Sequence, residues 1–220
     1  MIKVKGLVKT YIDGDKETEV LKGIDFVCND GDFLAIMGRS GAGKSTFLYQ
    51  LSLLDEPTRG EIIIDGVDTH NLTSDQKTSF RLNTLGYVFQ DYALLPDLTA
   101  LENVALPLLM QGKEKTLAYA EAKKSLEKVN LGHRLQNLPS QLSGGEQQRV
   151  SISRAIAHKP KILFADEPTA NLDRESSERV LEIFKELHKD GQTIVMVTHE
   201  EEYGAEADKI IRLDDGRIVS

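Results

Sequence analysis

Phe33-Leu34-Ala35-Ile36-Met37 runs directly into Gly38-Arg39-Ser40-Gly41-Ala42-Gly43-Lys44-Ser45-Thr46, and residues 47–54 then read as a helix. An unbroken apolar run of that length is what a strand buried on both faces requires. The glycine-rich turn fits G-x-x-x-x-G-K-[ST] in full, with Thr46 as a common extension. Glycines let the backbone curl so that successive N–H groups converge on phosphate oxygens, and the following helix N-terminus adds a favourable dipole. Lys44 can then reach the β- and γ-phosphates, and the Ser45 hydroxyl can ligate Mg²⁺. Strand, loop and helix in this order predict a nucleotide-binding α/β unit.

Outward from this stretch, residues 2–36 read as short strands with a turn at Asp13-Gly14-Asp15, and residues 61–64 and 86–90 as further strands. Between 91 and 156 the pattern becomes helical, with Leu117, Ala118, Ala122, Leu126 and Val129 forming one apolar stripe. A buried-strand pattern returns at 161–165 and ends in Asp166-Glu167-Pro168. An amphipathic helix follows over about 174–189, striped by Val180, Leu181, Phe184 and Leu187, before a β-branched run at 193–197. Residues 210–213 and 218–219, separated by Asp214-Asp215-Gly216-Arg217, suggest a closing hairpin. The simplest architecture is a helical segment of about 91–156 inserted into an α/β core of about 1–90 and 157–220.

Composition bounds the function from outside. The chain has 220 residues, with 27 Lys plus Arg against 35 Asp plus Glu for a formal charge of −8. This acidic balance argues against a broad nucleic-acid-binding face. No stretch approaches the roughly 18 apolar residues needed to cross a bilayer, and 100–110 is interrupted by Glu102, Asn103 and Pro107. The N-terminus has no apolar secretory h-region, which predicts a cytoplasmic location. Cys28 is the one cysteine, so no internal disulfide or multi-cysteine zinc site can form; within Ile24-Asp25-Phe26-Val27-Cys28 it reads as a small core hydrophobe.

A magnesium nucleotide also needs an acid at the end of a neighbouring strand, and Asp166 supplies one, acting on Mg²⁺ directly or through its water. Glu167 follows immediately. Adjacent residues at a strand end diverge, so Glu167 can face the attacking water as general base while Asp166 faces the metal. These elements fit any phosphate-loop ATPase or GTPase.

Leu142-Ser143-Gly144-Gly145-Glu146-Gln147 narrows the choice. Here the chain resembles the ATP-binding-cassette family, whose signature is LSGGQ-like, and the likeness extends from Tyr11 to His199. The resemblance implies a P-loop NTPase core with a mainly parallel sheet, an N-terminal antiparallel β region and an inserted α-helical subdomain. It also implies that Ser143, Gly144 and Gly145 donate to a γ-phosphate at a helix start. Tyr11 matches the aromatic that stacks on adenine. Gln90 matches the glutamine that contacts Mg²⁺ and water. Asp173, in Asn171-Leu172-Asp173, matches the D-loop, and His199 matches the switch histidine at the γ-phosphate. His70, His133, His158 and His188 match nothing and read as surface or packing residues. Two departures stand out: Arg39 replaces a usually neutral residue, and Glu146 replaces the common Gln.

The implied ligands are ATP and Mg²⁺. Since one chain holds one phosphate loop and one signature, the resemblance implies a homodimer with two ATP molecules at its interface, closed by ATP and reopened by hydrolysis. It implies a separately encoded membrane-spanning subunit, peripheral attachment to the inner face of the cell membrane, and no nucleic acid partner. Residues 89–104 look like the branch serving lipoprotein release and macrolide export; Tyr92, Leu94, Leu95, Leu98 and Leu101 form an apolar stretch, some of it suited to a membrane subunit, with core packing the reading for most of these leucines individually. A cell-division cassette that regulates cell-wall remodelling fits the same residues. A soluble cassette of DNA-repair or translation type lacks its usual coiled-coil insertion or tandem cassette here.

Overall fold

The computed structural model describes residues 1–219. It begins with two long strands, β1 (Ile2–Asp13) and β2 (Lys16–Cys28), paired antiparallel about the turn at Gly14. The buried strand β3 (Phe33–Met37) leads through the glycine loop into α1 (Lys44–Leu51). The short strands β4 (Arg59–Ile64) and β5 (Val67–Asp68) precede α2 (Ser74–Thr84) and β6 (Leu85–Val88). Three helices follow, α3 (Ala100–Met110), α4 (Lys115–Lys128) and α5 (Gly144–Ile156). The chain then forms β7 (Ile162–Asp166), α6 (Arg174–Lys189), β8 (Thr193–Val197), α7 (Glu201–Gly204), β9 (Lys209–Asp214) and β10 (Arg217–Ile218).

Contacts group the chain into two compact units: Met1–Arg81 with the chain from Gly191 onward, and Leu82–Asp190. In the first unit, one antiparallel sheet has the order β2-β1-β4-β5. A second set places β3 parallel to both β8 and β9, with β10 closing antiparallel on β9. Every residue of β3 and β8 is buried, as their apolar runs predict. Phe26 of β2 meets Phe47 of α1 edge to face at 5.3 Å, joining the antiparallel sheet to the helix after the glycine loop. Cys28 is fully buried, and burial pushes its thiol up to about 12.

In the second unit, β6 and β7 pair in parallel. Its apolar centre is built by α3, α4 and α5 around Val104, Leu108, Ala122, Leu126, Leu131 and Val150. Leu117 is the exception to the predicted stripe: at 61% exposure it lies on the outer face of α4, while Ala118 one residue later is buried. The polar residues that interrupt the apolar run at 100–110 do not interrupt the helix. Thr99 and Glu102 form a capping box at the start of α3. Asn103 is fully buried and uses its amide to accept from the Leu95 N–H at 2.8 Å and donate to the carbonyls of Leu95, Leu98 and Thr99. It therefore folds the loop that precedes its own helix. Helix α2 contributes no buried residue, and correspondingly shows no apolar stripe in the sequence.

Candidate active site

In the first unit, the glycine loop is shaped by close backbone approach. A Cβ on Gly38 would lie 2.2 Å from the Leu213 carbonyl oxygen of β9, so nothing larger fits there without movement of β9. The hairpin turn between β9 and β10 supports the other side, where the Gly216 N–H donates to the Ala42 carbonyl at 3.1 Å. Gly43, at φ 97°, turns the chain into α1 and offers no side-chain oxygen to cap it. The first turn of α1 thus lies at the positive end of the helix dipole. Lys44 is 7% exposed, and its ammonium donates to the carbonyls of Gly38 and Arg39 at 3.0 and 3.1 Å. A glycine-rich helix start and a cation folded over the same loop make a cradle for an anion. The Arg39, Ser40 and Gly41 positions are exposed on its rim, while Ser45 and Thr46 are half-buried in the first turn of α1.

Two further residues of this unit frame the loop. Tyr11 of β1 is 40% exposed, and its hydroxyl donates to Asp55 at 2.8 Å. Burial and the Asp55 carboxylate raise the phenol above its ordinary value, with the neighbouring Thr46 hydroxyl acting the other way. His199 follows β8: Thr198 is buried and its N–H donates to the Ile36 carbonyl of β3 at 3.2 Å, while the His199 residue is exposed.

In the second unit, Asp166 ends β7 at 5% exposure, with the Tyr87 hydroxyl 3.4 Å from its carboxylate. Glu167 comes next with φ 43°, a left-handed backbone that costs on the order of 1–3 kcal/mol for a non-glycine residue. That turn ends the strand at Asp166. Gln90 lies just beyond β6, and its carbonyl accepts from the Asn171 amide at 3.1 Å. Tyr92 and Ala93 are also left-handed, with φ 64° and 48°. Arg154 of α5 holds both, donating to the Tyr92 carbonyl at 3.0 Å and the Ala93 carbonyl at 2.6 Å. Sequence periodicity does not single out Arg154, because the carbonyls it serves lie some sixty residues away in the chain.

The signature residues start α5. Ser143 is its N-cap: the hydroxyl oxygen accepts from the Glu146 N–H at 3.3 Å and the Glu146 carboxylate accepts from the Ser143 N–H at 2.9 Å. Accepting at the oxygen leaves the Ser143 O–H as a donor. Burial pushes the Glu146 carboxyl up, but the Ser143 N–H and Arg134 outweigh it and hold it below the usual range. The two glycines have a packing requirement that the phosphate chemistry alone does not reveal. A Cβ on Gly144 would come within 3.0 Å of the Tyr92 hydroxyl, and one on Gly145 within 2.6 Å of the Ser176 Oγ. Ser176 is itself fixed by Asp173, the N-cap of α6, which accepts from its N–H and hydroxyl at 2.9 and 2.8 Å. The signature, the segment after Gln90 and the Asn171–Asp173 turn thus form one packed group.

Comparison with known proteins accords with this geometry. The model of the ABC transporter family matches residues 21–170. The lipoprotein-releasing system ATP-binding protein LolD of Shewanella frigidimarina is 46% identical, over 98% of this chain and 91% of that protein. The macrolide export ATP-binding/permease protein MacB of Aggregatibacter actinomycetemcomitans is 47% identical over all of this chain but only 34% of its own length. Among solved structures, the dimeric post-hydrolysis state of the ATP-binding cassette MJ0796, bound to ADP and Pi, superposes with a TM-score of 0.93 at 40% identity, covering 100% of this chain and 97% of that one. The chain belongs to the ABC transporter family and is its ATP-hydrolysing cassette.

Proposed function

We propose that this ATPase works as a homodimer that closes on two molecules of ATP, each held by the phosphate loop of one chain and the signature of the other, and that reopens on hydrolysis to drive a membrane-spanning subunit. The observation that carries this reading is the contrast between two helix starts. Helix α1 begins without a side-chain cap, beside a lysine folded on its own loop. Helix α5 begins with a serine whose oxygen is used for capping and whose O–H is still a donor. The first suits the body of a triphosphate and the second the edge of its terminal phosphate.

In this reading Tyr11 stacks on the base, the residues from Gly38 to Thr46 take the phosphates, and Ser143, Gly144, Gly145 and Asp173 act across the dimer. Glu167 orients and deprotonates the attacking water, with Gln90 positioning that water and His199 donating to the γ-phosphate. Ser45, Gln90 and Asp166 supply only oxygen donors, and Asp166 is nearly buried at the end of its strand, which fits Mg²⁺ bound with the triphosphate. When bound, the ion would neutralise charge on the β- and γ-oxygens.

Ligand-driven closure is a population shift whose driving term is the γ-phosphate contacts present in one state only. The names of the LolD and MacB relatives favour lipoprotein release or macrolide-type export as the coupled process. No helix among the described residues is long and apolar enough to cross a membrane. We place the chain in the cytoplasm, peripheral on the inner face of the cell membrane, with 91–156 as the helical subdomain and Leu95, 44% exposed, on the segment offered to the membrane subunit. Phosphate release by wild type and Glu167→Gln tests the catalytic assignment. A fall of at least a hundredfold with nucleotide binding retained is expected, and wild-type turnover in the variant would remove Glu167 from the mechanism.

A further inference from the structure

Asp55, just beyond the end of α1, uses both carboxylate oxygens fully. One accepts from the Lys9 ammonium and the Glu56 N–H, each at 2.7 Å. The other accepts from the Tyr11 hydroxyl at 2.8 Å and the Gln50 amide at 3.0 Å. Four donors are what an ionised carboxylate can take. Burial pushes the Asp55 carboxyl up, but these donors and the Lys9 charge overcome it and leave it below the usual range. Lys9 is only 9% exposed, donates a second time to the Glu56 carbonyl at 2.7 Å, and places its ammonium 4.8 Å from the centre of the Tyr11 ring. Gln50 is fully buried in α1, so its bond to Asp55 ties the cluster to the helix that begins at Lys44.

We propose that Asp55 is a positioning residue for nucleotide binding, fixing the Tyr11 ring of β1 against the end of the phosphate-loop helix so that base and phosphate contacts are held at a set spacing. This rests on the assignment of Tyr11 as the base-stacking residue. The physical reason is preorganisation. Tyr11 sits near the exposed end of a hairpin, and an unrestrained ring would have to be ordered each time nucleotide binds, weakening the complex. The hydroxyl bond to Asp55 holds the far end of the ring, while the Lys9 ammonium, 4.8 Å from the ring centre, packs over one face and restrains its rotation. The carboxylate also gives buried Lys9 its ion-pair partner at 2.7 Å, so the cluster holds together as a unit.

Competition binding of ATP and of inorganic tripolyphosphate, both with magnesium, tests the proposal through the ratio of the two affinities. Tyr11→Ala is expected to weaken ATP about tenfold and to leave tripolyphosphate unchanged. Tyr11→Phe and Asp55→Asn are each expected to weaken ATP about threefold, again with tripolyphosphate unchanged, and the double variant to lose little more than either. If Tyr11→Ala lowers the ratio and both milder variants keep the wild-type value, Tyr11 stacks on the base but Asp55 does not position it. If Tyr11→Ala leaves the ratio unchanged, the stacking assignment fails and the positioning role with it. Tyr11→Phe removes one hydroxyl and leaves the Lys9–Asp55 pair intact, so it decides the matter even if Asp55→Asn does not fold. A loss of tripolyphosphate affinity equal to the loss of ATP affinity in Tyr11→Phe would show a general distortion of the loop and contradict the proposal.

Discussion

The guanidinium of Arg154 donates to the carbonyl of Tyr92 at 3.0 Å, and through that bond a helix that starts at the signature restrains the segment leaving Gln90. Burial pulls this guanidinium below its ordinary value, and the two carbonyls it serves belong to consecutive left-handed residues. A planar fork can span two adjacent carbonyls, whereas an ammonium can satisfy them less well. Arg154→Lys is therefore expected to lower stability in urea by about 1.5–3 kcal/mol, the range for hydrogen bonds to charged groups. Replacing Ala93 by glycine in the Arg154→Lys background should recover part of the loss, since glycine adopts the left-handed backbone without strain.

Gly145 is fixed by packing against Ser176. Gly145→Ala places a methyl 2.6 Å from Ser176 Oγ and 2.8 Å from its Cβ, so α5 and the start of α6 must separate. We expect thermal stability to fall and ATPase activity to fall further. Ser176→Gly should restore more of the stability than Ser176→Ala, because only glycine clears both atoms; equal rescue by the two would show that the Oγ contact alone matters.

His158 gives an acid-side signature. Burial lowers its imidazole below the ordinary value, partly offset by its bond to the Leu85 carbonyl at 3.0 Å. The unfolded chain therefore takes up a proton that the folded chain refuses, and stability falls as pH drops below about 6.5. His158→Gln should flatten that part of the pH–stability curve in denaturant titrations, while an unchanged slope would assign it to other groups.

Cys28 gives the opposite sign on the alkaline side. Its folded value of about 12 lies above the ordinary 9.0, so the unfolded chain loses the proton first and stability declines as pH rises between those values. Maleimide labelling at pH 7.5 should be slow in the native protein and rapid in urea. Labelling of the native protein at a rate typical of a free thiol would contradict the burial.

Much of this molecule is legible in its sequence. The run 33–37 became β3, the stretch 174–189 became α6, and 193–197 became β8, because strong periodicity or an unbroken apolar run leaves one solution. The glycine loop is legible because the full G-x-x-x-x-G-K-[ST] pattern stands between an apolar run and a helix. Helix α2 was not, since it buries nothing and so carries no stripe. The sequence does not separate the faces of Leu117 and Ala118, because both are apolar and only packing distinguishes them. Asp55, Lys9 and Tyr11 were out of reach as a group: Tyr11 and Asp55 meet across a separation of 44 residues, and such pairing is set by sheet register rather than by local pattern. The second requirement on Gly144 and Gly145 was hidden for the same reason, since their neighbours Tyr92 and Ser176 come from distant segments.

In the proposed cycle ATP itself joins two copies of this chain. Light scattering coupled to size-exclusion chromatography of Glu167→Gln, run with magnesium and either ATP or ADP, measures this directly. Twice the mass of one chain is expected in ATP, with one nucleotide retained per chain, and a single-chain mass in ADP. A single-chain mass at saturating ATP would contradict it.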